Sequence, residues 1–282
     1  MQVYTLNAFS NAPQGGNPAG VVLVADNLSD LEMQQIATDV GLSETAFVSK
    51  SNRASFRVRF FTPVMEVDLC GHATIATFYL MRYLNIIKKG SYTQETNAGI
   101  LRIEVDNQIV TMEQLAPTFY ETIDKKTIAR SLNIPLEDIM KDLPIQVVST
   151  GLKDIIIPVK SLNTIKRIKP DYSEITAISE RYDTVGYHIF TLEVESGSFA
   201  HCRNLAPRYG INEEAATGSA SGALACYLNR YEIVDVPSKI AFEQGYTMGS
   251  PSEIIVELTR KSDGNLQVMV GGRANNIEII ML

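Results

Sequence analysis

The chain alternates between short apolar runs and longer stretches of helical periodicity. A capping residue in Leu28-Ser29-Asp30 precedes the first helical stretch. Many short strands mixed with a few helices predict an α+β fold rather than a doubly wound parallel sheet. The predicted strands cover residues 3–9, 21–24, 45–48, 56–61, 101–105, 146–149, 155–158, 185–191, 199–203, 254–258 and 267–270, and the predicted helices residues 31–40, 73–84, 125–132 and 220–231.

The two halves of the chain contain the same ordered series of short motifs. Arg59 precedes Pro63 at the spacing at which Arg203 precedes Pro207. Each motif leads into a Gly-X-Ala turn and a predicted helix that contains a Tyr-Leu pair. The shared order indicates an internal duplication. We therefore predict two similar halves, residues 1–117 and 125–275, with a linker over residues 115–124. The strand-like run at residues 276–282 could return to either half, and we assign it to the first.

Composition and charge narrow the class of protein. The 282 residues are 45% hydrophobic and 20% charged, which is ordinary for a globular protein with a core. A net charge of -7 without a basic run disfavours nucleic acid as a partner. The sequence has no apolar stretch of membrane-spanning length, and its start lacks the pattern of a signal peptide. The cysteines, Cys70, Cys202 and Cys226, lack metal-ligand spacing, so we expect no metal and a reducing, cytoplasmic compartment.

The two Gly-X-Ala turns are candidate anion sites. The first turn of a helix has unpaired N–H groups and partial positive charge, so two facing turns suit a carboxylate-bearing small molecule. Gly71 and Gly218 taken singly could serve only to permit a tight turn, but their equivalent places in a repeat favour binding. The glycine-bearing loop at residues 15–18 lacks nucleotide-binding spacing, and we predict no nucleotide site.

Several side chains near these turns could transfer protons. Glu44 precedes a predicted strand, where a surface glutamate would also be ordinary. His72 lies in the first turn, and we expect it to be neutral because a helix N-terminus disfavours an imidazolium. The Glu213-Glu214 pair either is solvated or supplies a carboxylate to the site. The other two histidines, His188 and His201, are expected to pack within strands or to face solvent.

At these residues the sequence resembles the PhzF-like phenazine-biosynthesis family. The resemblance follows the order of the family's motifs through essentially the whole chain. Its most specific stretch is Cys70-Gly71-His72-Ala73-Thr74. The matching pieces are residues 7–9, 16–20, 43–47, 59–63, 66–74, 217–220, 243–245 and 248–252.

The resemblance implies a fold shared with diaminopimelate epimerase, in which two pseudo-symmetric halves each wrap a barrel-like sheet around a central helix. It also implies a homodimer and an activity without cofactor. That activity is the isomerisation of trans-2,3-dihydro-3-hydroxyanthranilate, in which a glutamate moves a proton between two ring carbons.

By position, Glu44 corresponds to the family's glutamate. His72 and Ser219 correspond to residues that contact the substrate and assist proton transfer. Glu214 stands where the family has aspartate, with Ala215 in place of the usual proline, so the exact substrate stays open. We expect a closed apolar cleft between the halves to raise the pKa of Glu44. The predicted substrate-binding residues are Asn17, Cys70, Gly71, Ala73, Thr217 and Gly218.

Two alternative functions remain open from the sequence. A racemase or epimerase of the same fold would use one thiol on each face of its substrate. Cys70 resembles the first thiol of such enzymes, whereas the second turn has Ala215-Ala216-Thr217-Gly218 and no cysteine. The other alternative is a non-catalytic protein that binds a small acid.

Overall fold

The computed structural model describes residues 1–10 and 14–282 and divides into two compact units. Unit 1 comprises Met1–Glu113 and Gly271–Leu282, and unit 2 comprises Gln114–Val270. Across the described residues, the helices are all too short or too polar to cross a membrane.

Short strands dominate both units. The strands of the first unit are β1 (Gln2–Ala8), β2 (Asn17–Val22), β3 (Thr45–Ser49), β4 (Phe56–Phe61), β5 (Glu66–Val67), β6 (Gly90–Thr96), β7 (Gly99–Val105) and β8 (Val110–Glu113), and its helices are α1 (Asp30–Val40) and α2 (Gly71–Tyr83). The following strands are β9 (Thr118–Ile123), β10 (Ile145–Ser149), β11 (Lys153–Pro158), β12 (Tyr187–Thr191), β13 (Ala200–Ala206), β14 (Ile211–Glu214), β15 (Ser238–Gln244), β16 (Ser252–Arg260), β17 (Leu266–Gly272) and β18 (Ala274–Met281). The remaining helices are α3 (Lys125–Ser131), α4 (Leu162–Arg167), α5 (Tyr172–Arg181) and α6 (Gly218–Arg230), and short 3₁₀ turns cover Leu136–Asp138, Pro207–Tyr209 and Tyr246–Met248.

Strand pairing in the two units follows one scheme. In unit 1, β1 pairs antiparallel with β2, β2 parallel with β3, β3 antiparallel with β4, β4 parallel with β6, and β6 antiparallel with β7. In unit 2, the strands β10, β11, β12, β13, β15 and β16 repeat these pairings in the same order and sense. The short strands β5 and β14 pair antiparallel with β4 and β13, respectively. This repetition confirms the prediction of an α+β fold with two similar halves.

One helix in each unit is packed among strands. Helix α2 contacts β1, β2, β3, β7, β8 and β18, and helix α6 contacts β10, β11 and β16. A helix enclosed in this way must be apolar around its whole circumference. The buried side chains of α2 are His72, Ala73, Thr74, Ile75, Ala76, Thr77, Phe78, Leu80 and Met81. The one ionisable side chain among these buried residues, His72, lies in the first turn of the helix.

Several elements differ from the sequence prediction. The residues assigned to a linker include β9, which pairs antiparallel with β10. Its side chains are mostly exposed, so no continuous apolar run marks it. Helix α5 was missed because its buried apolar positions, Ile175 and Ile178, span less than two turns. The C-terminal strand β18 pairs with β1 in unit 1.

Gly186 provides a test of the close packing beside β12. A Cβ atom at this position would overlap the backbone carbonyl oxygen of Leu205 in β13. Because backbone cannot move aside as a flexible side chain can, we expect Gly186→Ala to lower the free energy of unfolding by about 1–3 kcal/mol. Urea unfolding measures the change.

Gly71→Ala is the matched control for this substitution. Its added Cβ would meet nothing closer than the Met112 side chain at 3.9 Å, so we expect little loss of stability. Equal stability of wild type and Gly186→Ala would contradict the close approach of β12 and β13 at Leu205.

Candidate active site

Strand β3 and helix α2 bring Glu44 and His72 together in unit 1. Glu44 directly precedes β3, and its carbonyl accepts a 3.0 Å hydrogen bond from the Gly20 N–H of β2. A Cβ at Gly20 would lie 2.7 Å from Thr45 Oγ1, so glycine permits this close approach of β2 and β3. His72 is the second residue of α2. The ends of the two elements thus fix both side chains.

The His72 ring is the centre of a polar cluster. Its Nε2 atom lies 3.2 Å from Glu44 Oε2 and 3.3 Å from Ser43 Oγ. Its Nδ1 atom lies 3.4 Å from both Asn17 Nδ2 and Cys70 Sγ. The His72 side chain is 8% exposed, whereas that of Glu44 is 22% exposed. The cluster therefore has a buried imidazole and a carboxyl group that solvent or a ligand can reach.

The charge states of this pair differ from the sequence prediction. Burial acts to raise the pKa of Glu44, but the hydrogen bond and charge of His72, with Ser43 and Cys70, lower it below its ordinary value. Burial acts to lower the pKa of His72, but Cys70 and Glu44 raise it well above its ordinary value. The expected raised pKa of Glu44 and neutral His72 are therefore wrong. The structure favours a carboxylate beside an imidazolium.

The second Gly-X-Ala turn has a separate polar network in unit 2. Thr217 Oγ1 donates a 2.6 Å hydrogen bond to Glu214 Oε2. The buried amide of Gln244 donates to the Glu214 carbonyl at 2.7 Å and to Thr217 Oγ1 at 3.1 Å, and it accepts from the Thr217 N–H at 3.3 Å. Gln244 therefore fixes both the strand before the turn and the residue that precedes α6.

An arginine–glutamate pair stands ahead of each turn. Arg59 donates two hydrogen bonds of 2.7 Å to the two carboxylate oxygens of Glu66. Arg203 does the same to Glu213, at 2.9 and 2.8 Å. Such bidentate pairs define orientation as well as distance. They hold β5 and β14 in place immediately before the loops that lead into α2 and α6.

The structure collects the predicted site residues in two groups. In unit 1, Glu44, His72, Cys70 and Asn17 are in contact, and Gly71 and Ala73 belong to the same turn. In unit 2, Glu214 and Thr217 are in contact beside Gly218 and Ser219, the first residues of α6.

Sequence reasoning did not assign four residues of these networks to the site. Ser43 directly precedes Glu44 in its motif, and that adjacency was the available signal. Gln244 is distant in sequence from the turn that it holds. Arg59 belongs to the repeated Arg-to-Pro motif, but that motif does not indicate its pairing with Glu66.

Three side chains of unit 1 could also offer donors to a metal ion. One atom each from Glu44, Cys70 and His72 lies within 4.8 Å of the others. Carboxylate, thiolate and imidazole are donors that Zn²⁺ accepts. The sequence predicts no metal, and the contacts of His72 with the Glu44 carboxylate and the Cys70 thiol also account for the proximity of the three side chains.

Comparison with known proteins identifies the family. The family model for phenazine biosynthesis-like proteins matches residues 6–278. The chain belongs to this family. The phenazine biosynthesis protein of the PhzF family from Bacillus anthracis has a similar solved structure, with a TM-score of 0.92, 34% identity, and coverage of 100% of this chain and 99% of that one.

Several curated relatives of this chain are named isomerases. An uncharacterized isomerase of Bacillus subtilis is 37% identical over 281 residues, covering 97% of this chain and 95% of the relative. The trans-2,3-dihydro-3-hydroxyanthranilate isomerase of Pseudomonas chlororaphis is 29% identical over 281 residues, covering 95% of this chain and 94% of the relative. The predicted family and the prediction of an isomerase are confirmed.

The Glu44–His72 contact predicts a coupled titration. Replacing Glu44 with Gln removes the negative charge beside Nε2, so we expect the pKa of His72 to fall by about one to three pH units. The imidazole signals of His72, followed by NMR from pH 5 to 10, measure this change.

Ser43→Ala is the control for the Glu44→Gln titration, because it removes a neutral contact with Nε2 and leaves the carboxylate. We expect a smaller effect on the pKa of His72. An unchanged pKa of His72 in Glu44→Gln would rule out the ion pair.

Proposed function

We propose that this member of the family is a cofactor-independent isomerase that moves a proton between two carbons of a small carboxylic acid. Glu44 is the general acid and base. The contact of 3.2 Å between the partly exposed Glu44 carboxylate and the buried imidazole of His72 supports this proposal most strongly. It pairs a base with an acid at one point of unit 1.

The protonation states of Glu44 and His72 suit the transfer of a proton between two carbons. An ionised Glu44 can accept a proton from a carbon acid at neutral pH, and its protonated form can return the proton to a second carbon. A protonated His72 stabilises the negative charge that develops on the substrate between these two steps. Ser43 and Cys70 keep both side chains oriented while the proton moves.

The helix N-termini supply a binding role for the acid group of the substrate. Cys70 and Thr217 precede α2 and α6, and their side chains contact His72 and Glu214, respectively. The first-turn N–H groups of Gly71 and Ala73, or of Gly218 and Ser219, are suitable donors to a carboxylate. Glu214 adds a second carboxylate that can assist proton transfer. The proposed partner is thus a small carboxylate-bearing metabolite.

The name of the Pseudomonas chlororaphis relative provides the first substrate to test. Trans-2,3-dihydro-3-hydroxyanthranilate has the acid group and the acidic carbon that this chemistry requires. Glu214 in place of aspartate makes a related acid the next substrate to screen. A homodimer, a cytoplasmic location and a biosynthetic role remain predictions of the sequence.

A racemase with paired thiols is the competing candidate, because Cys70 Sγ contacts the His72 ring at 3.4 Å. Thr217 occupies the position before α6 that Cys70 occupies before α2. Cys202 and Cys226 are buried within β13 and α6. Without a second thiol at the unit 2 turn, stereoinversion by two cysteines is disfavoured.

The test is proton NMR of trans-2,3-dihydro-3-hydroxyanthranilate with the purified protein in deuterated water. We expect consumption of the substrate with deuterium incorporation at carbon. Glu44→Gln keeps the size of the side chain but removes the base, so turnover should fall about a hundredfold or more. Glu121→Gln, at an exposed glutamate of β9, is the matched control and should retain activity.

Each outcome of the NMR experiment decides a different part of the proposal. Full turnover by Glu44→Gln would overturn the role of Glu44. Absence of turnover and of carbon–hydrogen exchange with this compound and with related acids would favour a non-catalytic binding protein.

A further inference from the structure

A second polar cluster lies inside unit 2, beneath Glu214. Asp154 of β11 is 1% exposed, and neither of its carboxyl oxygens has a hydrogen-bond partner among the described residues. His188 of β12 and Asn204 of β13 are 0% and 1% exposed, and Asn204 Nδ2 lies 3.3 Å from His188 Nδ1. Strand register places Asn204 opposite both His188 and Glu214. The four side chains therefore share one face of the sheet.

The hydrogen-bond partners available in this cluster suit the protonated form of Asp154. Asn204 Oδ1 is buried and, within the described part of the chain, lacks a donor. An ionised Asp154 would place an unpaired negative charge beside that acceptor and near Glu214, which is costly in a buried site. A protonated Asp154 instead gains one O–H donor, and Asn204 Oδ1 is the acceptor it suits.

The pKa shifts of Asp154 and His188 also favour a protonated Asp154 beside a neutral His188. Burial raises the pKa of Asp154 to about 8, and the charge of Glu214 adds to the effect, while the nearby Asn204 amide partly offsets it. Burial lowers the pKa of His188 to about 3, so this histidine is neutral and supplies no positive charge.

Unit 1 provides an internal comparison for this cluster. Arg59 and Arg203 occupy equivalent places in β4 and β13, where they pair with Phe47 and Ile189. Counting along the paired strands from there gives the unit 1 equivalents of Asp154, His188, Asn204 and Glu214, which are Ala19, Ala46, Phe60 and Val67, respectively.

The equivalent layer in unit 1 is apolar. Ala19, Ala46 and Phe60 are each 0% exposed. The fold therefore forms this layer without any polar group. Burying the three polar side chains of Asp154, His188 and Asn204 in unit 2 has an energetic cost that the architecture does not require, which points to a role in function.

We propose that Asp154 is a positioning residue that carries the proton of a coupled Asp154–Glu214 carboxyl pair and keeps Glu214 ionised beside the second turn. This inference rests on the proposed function, in which Glu214 assists proton transfer. With Asp154 neutral, Glu214 remains the negative charge that Thr217 Oγ1 binds at 2.6 Å. Once Asp154 loses its proton at higher pH, two negative charges repel each other, and Glu214 moves away from Thr217.

The elements packed against β11 contain no positive charge that faces Asp154, among the residues that the structure describes. Strand β10 has no titratable residue, and β12 contributes His188. Burial raises the pKa of Cys226 and Tyr227 in α6, and Arg230 at the end of that helix lies over Phe119. Arg203 and Glu213 are paired with each other, and Tyr187 contacts Ser131.

The test is the pH dependence of folding stability, which needs no substrate. A folded-state pKa near 8 and an unfolded value near 4 mean that the folded state retains a proton that the unfolded state releases. Stability should therefore fall as pH rises from about 5 to 8, with the folding equilibrium constant decreasing about tenfold per pH unit from this group. Urea unfolding of wild type and Asp154→Asn gives the difference.

Asp154→Asn should remove this dependence, because the amide is neutral at every pH. Asp183→Asn is the matched control, since Asp183 is an exposed carboxyl of unit 2 whose pKa is lowered mainly by Lys153. It should leave the slope between pH 5 and 8 unchanged. Parallel pH dependences of wild type and Asp154→Asn would overturn the proposal.

Two further measurements complete the test. If Asp154→Asn does not fold, the ¹³C carboxyl signal of Asp154 in the wild-type protein decides: titration near pH 8 supports the proposal, and titration near pH 4 overturns it. In the activity assay, the ratio of wild-type kcat to the kcat of Asp154→Asn should fall as pH rises through about 8, because the titration of His72 is common to both proteins. A ratio that stays constant from pH 6 to 9 would contradict the link between Asp154 and Glu214, even though the stability result stood.

Discussion

Enclosure of one helix among strands is the constraint on which the site in unit 1 depends. Helix α2 is buried along nearly its whole length, so its interior positions must be small or apolar. Its one buried ionisable side chain, His72, lies in the first turn, and the loop before that turn is held by the Arg59–Glu66 pair. The ends of β2 and β3 then bring Asn17 and Glu44 to His72.

The same architecture in unit 2 has different chemistry. The position of Glu44 before β3 corresponds to Gly186 before β12, where a side chain has no room. Val67 of β5 corresponds to Glu214 of β14. Duplication thus preserved the strand pairing and the arginine–glutamate pairs, while each unit acquired its own carboxylate. In unit 2, the carboxylate of Glu214 lies beside a buried layer of polar side chains. The equivalent layer of unit 1 consists of alanine and phenylalanine.

The sequence predicts the repeat and the ends of several elements. It does not predict properties that depend on contacts between residues far apart in the chain. Local motifs such as Ser43-Glu44-Thr45 and Cys70-Gly71-His72 indicate the ends of elements and the repeat. They do not indicate charge states. A helix N-terminus considered alone favours a neutral His72, but the carboxylate that reverses this preference comes from a different strand. Asp154 and Gln244 likewise depend on strand neighbours that no local pattern predicts.

The central claim is that one carboxyl group, Glu44, both removes and returns the migrating proton. Its most direct test follows trans-2,3-dihydro-3-hydroxyanthranilate, deuterated at the ring carbon that loses its proton, through a single turnover in ordinary water. A single carrier should deliver a measurable fraction of the deuterium to the new carbon of the product. Complete loss of the label to solvent in the first turnover would contradict the claim and favour two separate groups for removal and return.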